Sequence, residues 1–175
     1  MKRKINLSKN KKRKVLVVGD AMLDEFVTGS QFGNSPEAPV PLIKTIKKYA
    51  SAGAAALVAN SINNLGAESF LIGGIGKDIK GQELKSLIKK EKIHNFLIAS
   101  NKSPTTYKKR IFSNSKPLLR VDTEKNFIFQ KRKFNEIKKK IKIKMRASSV
   151  VVISDYGKGF CNNGLINFII KFSNL

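Results

Sequence analysis

The chain of 175 residues has one cysteine, one histidine, no tryptophan and only 12 acidic side chains. Each shortage closes a class of structure. Cys161 has no partner within the chain, so a disulfide-stapled scaffold is excluded. His94 stands without a second histidine or a cysteine cluster, which excludes a zinc module. No apolar run approaches the roughly 20 residues that cross a bilayer, and the opening MKRKINLSKNKKRKVLVV has no signal-peptide pattern. The expectation is a cytoplasmic protein with no membrane partner.

Hydrophobic residues make up 41% of the chain, and a domain of this size can withdraw about 70% of its unfolded surface from water. One core is therefore enough to hold it. Charge is heavily one-sided: 35 Lys and Arg against 12 Asp and Glu give a net charge of +23. Such a field attracts nucleic acid, anionic lipid and phosphorylated metabolites alike and does not choose among them. The excess gathers in Lys2 to Lys14 and Lys131 to Arg146. The same sequence is rich in Lys, Asn and Ile, whose codons are A/T-rich, so compositional drift is a competing cause. No aromatic stacking residues interleave with the basic runs, and no helix-turn-helix, RRM or KH pattern is present.

Residues 1–14 read as a basic leader and 15–175 as one α/β unit. Val15 to Val18, β-branched and closing on Gly19-Asp20, is a buried strand of a parallel sheet. From Met22 to Ala50 the punctuation by Thr, Gly, Ser and Pro predicts an excursion of extended strands. Ala52 to Leu65 reads as a helix packed closely on the first strand. Phe70 to Gly74 predicts a second strand, Lys80 to Lys90 a helix with Leu84, Leu87 and Ile88 on one face, and Phe96 to Ala99 a third strand. Thr105 to Phe112 and Leu118 to Asp122 flank the turn composition Asn114-Ser115-Lys116-Pro117, which predicts a hairpin. Phe134, Ile137 and Ile141 mark a basic helix, Val150 to Ile153 another buried strand, and a final amphipathic helix runs through Phe172. Alternating strands and helices imply βαβ units and a mostly parallel sheet. The excursions at about 22–50 and 105–122 are placed as a small β-lid over its carboxyl edge.

Ligands of open α/β sheets bind beyond the carboxyl ends of the strands. Three polar sets occupy such places: Gly19 to Asp24, Gly73 to Asp78, and Ser154 to Lys158. The second fails as a phosphate loop, because Asp78 holds the Ser/Thr position and Leu71 the leading glycine; it fails as a dinucleotide fingerprint at Ile79. A strand-to-helix turn without direct phosphate contact is the reading.

Six segments in order carry a more specific signal: Val15 to Asp24, Ser35-Pro36-Glu37-Ala38-Pro39-Val40-Pro41, Leu65-Gly66-Ala67, Gly74 to Asp78, Leu118 to Asp122, and Ser154-Asp155-Tyr156-Gly157-Lys158-Gly159. The series resembles the N-terminal half of the D-glycero-β-D-manno-heptose 7-phosphate kinase domain, often fused to an adenylyltransferase, within the ribokinase-like PfkB carbohydrate kinase family. The resemblance implies a ribokinase-like α/β fold with a β-lid, truncated in its C-terminal half. It also implies ATP and Mg2+ as cofactors and a sugar phosphate phosphorylated at its anomeric hydroxyl, on the route to ADP-heptose and lipopolysaccharide. Carried over by position, Asp24 holds sugar hydroxyls, its carboxylate being a pure acceptor; the alternative is a helix or turn cap. Gly53 falls in the family's glycine-rich sugar segment. Lys108, Arg110 and Arg120 lie on the lid hairpin, where Lys108 and Arg110 share a face and suit a 7-phosphate, or else form a solvated face. Asp155, Tyr156 and Lys158 match the family's Ser-Asp-Tyr-x-Lys-Gly segment, where the resemblance implies that Asp155 with Lys158 orients the substrate or its phosphate, with a turn held by Asp155 as the alternative.

Two departures bear on the substrate. Leu57 stands where the family has a sugar-binding amide and Ala54 where it has a second glycine, while Gly33-Asn34 replaces the usual basic residue before Ser35. The family's Gly-Ala-Gly-Asp anion hole, with its catalytic aspartate, has no counterpart before Leu175, so no catalytic or metal-binding residue is assigned. The expectation is an isolated chain without turnover, a complementing C-terminal kinase fragment as partner, and a homodimer through the lid. A second reading is a non-catalytic basic module that binds RNA or an acidic partner.

Overall fold

The computed structural model describes residues 13–173, so most of the expected leader lies outside the described residues. The fold is organised by its first strand, β1 (Lys14–Asn34), which is 21 residues long and serves two sheets. Its first part, Lys14 to Asp20, pairs in parallel with β3 (Glu68–Gly76) on one side, and Val15 to Gly19 with β7 (Val150–Ser154) on the other. β4 (His94–Ser100) extends that sheet beyond β3, again in parallel. From Ala21 onward β1 pairs antiparallel with β2 (Pro41–Ala54), and from Met22 in parallel with β5 (Thr106–Ser113). Antiparallel β6 (Lys116–Thr123) completes this second sheet.

Burial along β1 explains the change of sheet. Leu16 to Leu23 are all buried, as in a strand covered on both faces, and from Asp24 the pattern alternates, as in a strand covered on one. The second sheet is thus the lid, open on the face that carries Asp24 and Phe26. Asp24 does not end the first strand, as the sequence suggested; the strand runs on through it for ten more residues, to Asn34.

Helices α1 (Ala55–Asn64) and α2 (Ile79–Lys90) cover one face of the core sheet, with Val17, Leu71, Ile75, Leu84 and Ile88 fully or almost fully buried. Helices α3 (Lys131–Arg146) and α4 (Asn163–Ser173) cover the other over Leu16, Val18 and Ile72. The expected helix start at Ala52 is corrected to Ala55, because Ser51 to Ala54 pair with Asp24 to Ala21 and these ladder bonds override alanine's helix preference. The hairpin turn is tighter than its composition suggested: Asn114 and Ser115 alone make it, both at positive φ (48° and 67°), and Pro117 lies inside β6. Of the glycine-rich Gly73 to Asp78, expected as a strand-to-helix turn, Gly73 to Gly76 are instead the end of β3, and Lys77-Asp78 alone joins it to α2. Asp78 caps α2 by accepting from Gly81 N–H at 2.7 Å, and it also accepts from Thr105 N–H and Oγ1 at 2.8 and 2.7 Å. Although burial would raise its pKa, those bonds hold the Asp78 carboxyl below the ordinary carboxylate value.

Candidate sugar-phosphate site

Strand register assembles the site. Asp24 on β1 stands opposite Lys108 on β5, which stands opposite Asp122 on β6. Two residues along, Phe26, Arg110 and Arg120 form a second row on the same face. Arg110 Nη1 donates to Asp24 Oδ1 at 2.5 Å, and its guanidinium lies 5.4 Å from the centre of the Phe26 ring. Phe26 in turn stacks on Tyr49 of β2 at 4.9 Å. An aromatic floor and a carboxylate thus fix the arginine plane.

The other cations are compensated by acids. Lys108 Nζ lies 3.1 Å from Asp122 Oδ2 and 3.7 Å from Glu124 Oε2, Lys158 Nζ 2.7 Å from Glu124 Oε1, and Arg120 Nε 3.1 Å from Asp122 Oδ1. Slight burial would raise the Asp122 pKa, but Lys108 and Arg120 outweigh it and hold the carboxyl low. The hydrogen bond from Lys158 does the same for Glu124. Three cations shared by two carboxylates leave one positive charge, and an incoming phosphate can take over the ammonium groups from Asp122 and Glu124. Arg110 and Arg120 also line a cavity of about 340 Å3 with Phe112, Pro117, Leu118 and Leu119. A larger cavity of about 760 Å3 lies elsewhere, along the open edge of β7 between α3 and α4, and contains none of these residues.

Gly53 pairs with Met22 beside Asp24, and a β-carbon on it would collide with the Asp24 carboxylate. Its place in the site is to leave that space. Asp155 takes no part in the ion-pair network: its Oδ1 accepts from Gly157 N–H at 2.8 Å, closing a local turn. Lys158 does join the network, through Glu124, which places the segment after β7 beside the lid hairpin. Leu57, in the first turn of α1, is half exposed.

Asp20, Asp122 and Glu124 are the residues that sequence reasoning did not single out. Asp20, almost fully buried at the end of the core part of β1, accepts from the N–H groups of Tyr156, Lys158 and Phe160 at 2.8, 3.2 and 3.1 Å. It holds the loop that carries Lys158. On the closed face of the lid, Glu25 is buried, with Lys80 and Lys48 at 3.3 Å and Lys109 at 3.7 Å. Burial would raise its pKa, but Tyr107, Lys80 and Lys48 hold it below the ordinary glutamate value, and burial beside Glu25 pushes the Tyr107 phenol up to about 12.

Residues 12–153 match the profile of the pfkB family carbohydrate kinases. The chain belongs to this family. It is 38% identical over 149 residues to the bifunctional protein HldE of Haemophilus influenzae, and 36% identical over 146 residues to the D-beta-D-heptose 7-phosphate kinase of Bordetella bronchiseptica. Those alignments cover 85% and 83% of this chain but 31% and 46% of the two relatives, so the chain spans a third to a half of their length. The fold is that of ribokinase-like kinases. A possible 1-phosphofructokinase of Thermotoga maritima superposes with a TM-score of 0.72 at 19% identity, and the phosphofructokinase-2 of Escherichia coli with 0.66 at 16%. Both cover 93% of this chain, which covers 51% of each of them.

Proposed function

We propose that this chain carries the sugar-phosphate side of a kinase that transfers the γ-phosphoryl group of ATP to the anomeric hydroxyl of D-glycero-β-D-manno-heptose 7-phosphate. The observation that carries the reading is the convergence of Asp24, Arg110, Lys108, Arg120 and Lys158 on the open face of the lid. In it, Asp24 accepts from sugar hydroxyls, Arg110 keeps its carboxylate oriented, and Lys108, Arg120 and Lys158 exchange Asp122 and Glu124 for the 7-phosphate. Phosphoryl transfer is largely positioning and charge stabilisation around the moving group, and ATP with Mg2+ supplies the group that moves. Among the described residues no three His, Cys, Asp or Glu side chains cluster as a metal site, and no step is assigned to the metal. The nucleotide and metal residues are assigned to a complementing C-terminal kinase segment.

Calorimetry with heptose 7-phosphate tests this. Asp24→Ala and Lys108→Ala should each weaken binding at least about tenfold, as expected for loss of a charged hydrogen bond, while Lys12→Ala in the leader should not. Equal losses from all three would replace a site with diffuse electrostatics. Without an added partner the chain should not turn over ATP, and family-like turnover would overturn the division of roles.

The lid also fits a homodimer contact. Its small sheet leaves the large apolar side chains of Ile46, Tyr49 and Leu119 exposed. Light scattering at tens of micromolar should find a dimer that Leu119→Asp dissociates; a strict monomer would remove this contact.

A further inference from the structure

Three basic segments that are distant in sequence meet at the amino edge of the core sheet, the end opposite the lid. Helices of a parallel α/β unit run back against the strands, so the C-terminal turns of α2 and α3 both lie there, bringing Lys89, Lys90 and Lys92, and Lys142, Lys144 and Arg146. β1 starts at the same edge. Ser149 N–H, just past α3, donates to the Lys14 carbonyl at 2.8 Å, and Glu68 N–H donates to the Arg13 carbonyl at 3.0 Å. Arg13 and Lys14 therefore stand beside the end of α3.

α3 extends the patch along one side of the molecule. Nine of its 16 residues are Lys or Arg, and its one acid, Glu136, pairs with Lys133. Ile137, Ile141 and Met145 face the core, which leaves Arg132, Lys139, Lys142 and Arg146 as an exposed stripe at helical spacing.

The chemistry of the patch selects a partner. A helix that lies in a membrane interface needs a free apolar face, and that of α3 is buried in the core. Single-stranded nucleic acid is held by stacking bases on open aromatic rings. Here the rings are capped by cations: Lys144 lies 3.8 Å from the centre of Phe70, Lys140 5.3 Å from Phe96, Lys138 4.5 Å from Phe134, and Lys142 5.2 Å from Phe172. What is offered is a row of positive charge about 21 Å long, the span of about six base pairs, with nothing that reads bases. We infer that the amino edge and the outer stripe of α3 bind the phosphate backbone of duplex nucleic acid without sequence preference.

Fluorescence anisotropy of the full chain with a labelled DNA duplex of about 20 mixed-sequence base pairs, between about 50 and 200 mM salt, tests the inference. The logarithm of affinity should fall linearly with the logarithm of salt concentration. The triple variant Lys139→Gln, Lys142→Gln, Arg146→Gln should bind about tenfold more weakly or worse, with a slope shallower by about 2 to 3, since each lost phosphate contact removes about 0.9. A lid triple variant, Lys44→Gln, Lys47→Gln, Lys116→Gln, has the same charge and should stay within about twofold of the parent. Lys139→Arg with Lys142→Arg should retain the parental slope, and thermal melts establish that each variant is folded. Equal losses in the two triple variants, or an unchanged slope in the α3 variant, would overturn the inference. So would α3-dependent binding to phosphatidylglycerol vesicles with no binding to the duplex.

Discussion

Asp24 and Arg110 are 86 residues apart in sequence, yet their side chains form a hydrogen-bonded ion pair on the open face of the lid. The pair exists because β1 passes from the core sheet into the lid without a break, so that β5 can lie beside the segment that carries Asp24. Gly53 on the flanking strand leaves the carboxylate its room. Gly53→Ala should therefore displace Asp24 and cost about 1–3 kcal/mol, the usual penalty for forcing an extra carbon into a packed position. Urea unfolding measures the loss, and sugar-phosphate binding should fall with it. An alanine variant as stable as the parent would mean that the carboxylate has other space.

Asp20 orders the segment after β7. Three backbone N–H groups converge on its buried carboxylate, and none has another partner in the hydrogen bonds that shape that loop. Asp20→Ala should destabilise the fold by about 2–4 kcal/mol, more than one neutral hydrogen bond and less than the sum of three charged ones, because water can enter an opened loop. Hydrogen exchange supplies the sharper readout: the amides of Tyr156, Lys158 and Phe160 should lose protection before those of the core strands.

Period and punctuation made much of this legible from the sequence. The apolar run at Val15 to Val18, the hairpin around Asn114-Ser115, and the shared face of Lys108 and Arg110 all follow from local rules. Asp20 does not, because the amides it accepts from lie 136 to 140 residues away. Asp122 and Glu124 do not follow from the turn alone either: a hairpin centred on Asn114-Ser115 sets Asp122 opposite Tyr107, and the irregularity between Ile111 and Phe112 shifts the register by one residue so that Asp122 faces Lys108. The start of α1 misled for a physical reason: Ala52, Gly53 and Ala54 carry no side chain that argues for a strand, and pairing with β1 decided the matter.

Ala54 is where the departure from the family's glycine has a visible cost. Its φ of 51° and ψ of −125° lie in a region that residues with a β-carbon rarely enter, immediately before α1. Such a conformation costs about 1–3 kcal/mol, and a glycine gives back part of that as unfolded-chain entropy. Ala54→Gly should therefore stabilise the protein by about 0.5–2 kcal/mol, seen as a higher denaturant midpoint with an unchanged slope. A destabilised variant would mean that packing of the Ala54 methyl group outweighs backbone strain.

Glu25 makes stability depend on pH in a direction that can be worked out. Its carboxyl titrates below the ordinary value of 4.5 in the folded chain, because Tyr107, Lys80 and Lys48 together overcome the effect of burial. A group with a depressed folded pKa contributes stability that is complete above its unfolded pKa and is lost as pH falls through the folded value. Lys80 works in the opposite sense: despite burial, Glu83 and Glu25 raise its pKa above 10.5, so its contribution is complete below that value and is lost as pH rises through the folded one. The pair is fully effective between these limits. Glu25→Gln keeps the shape but removes the charge, and should cost about 1–3 kcal/mol at pH 7, the worth of a charged hydrogen bond inside a fold. Below about pH 4.5 the parent should lose stability more steeply than the variant, so that their urea midpoints converge on acidification. If the two midpoints instead ran parallel from neutral to acid pH, the folded and unfolded chains would take up the Glu25 proton over the same pH range, and its partners would not be lowering its pKa.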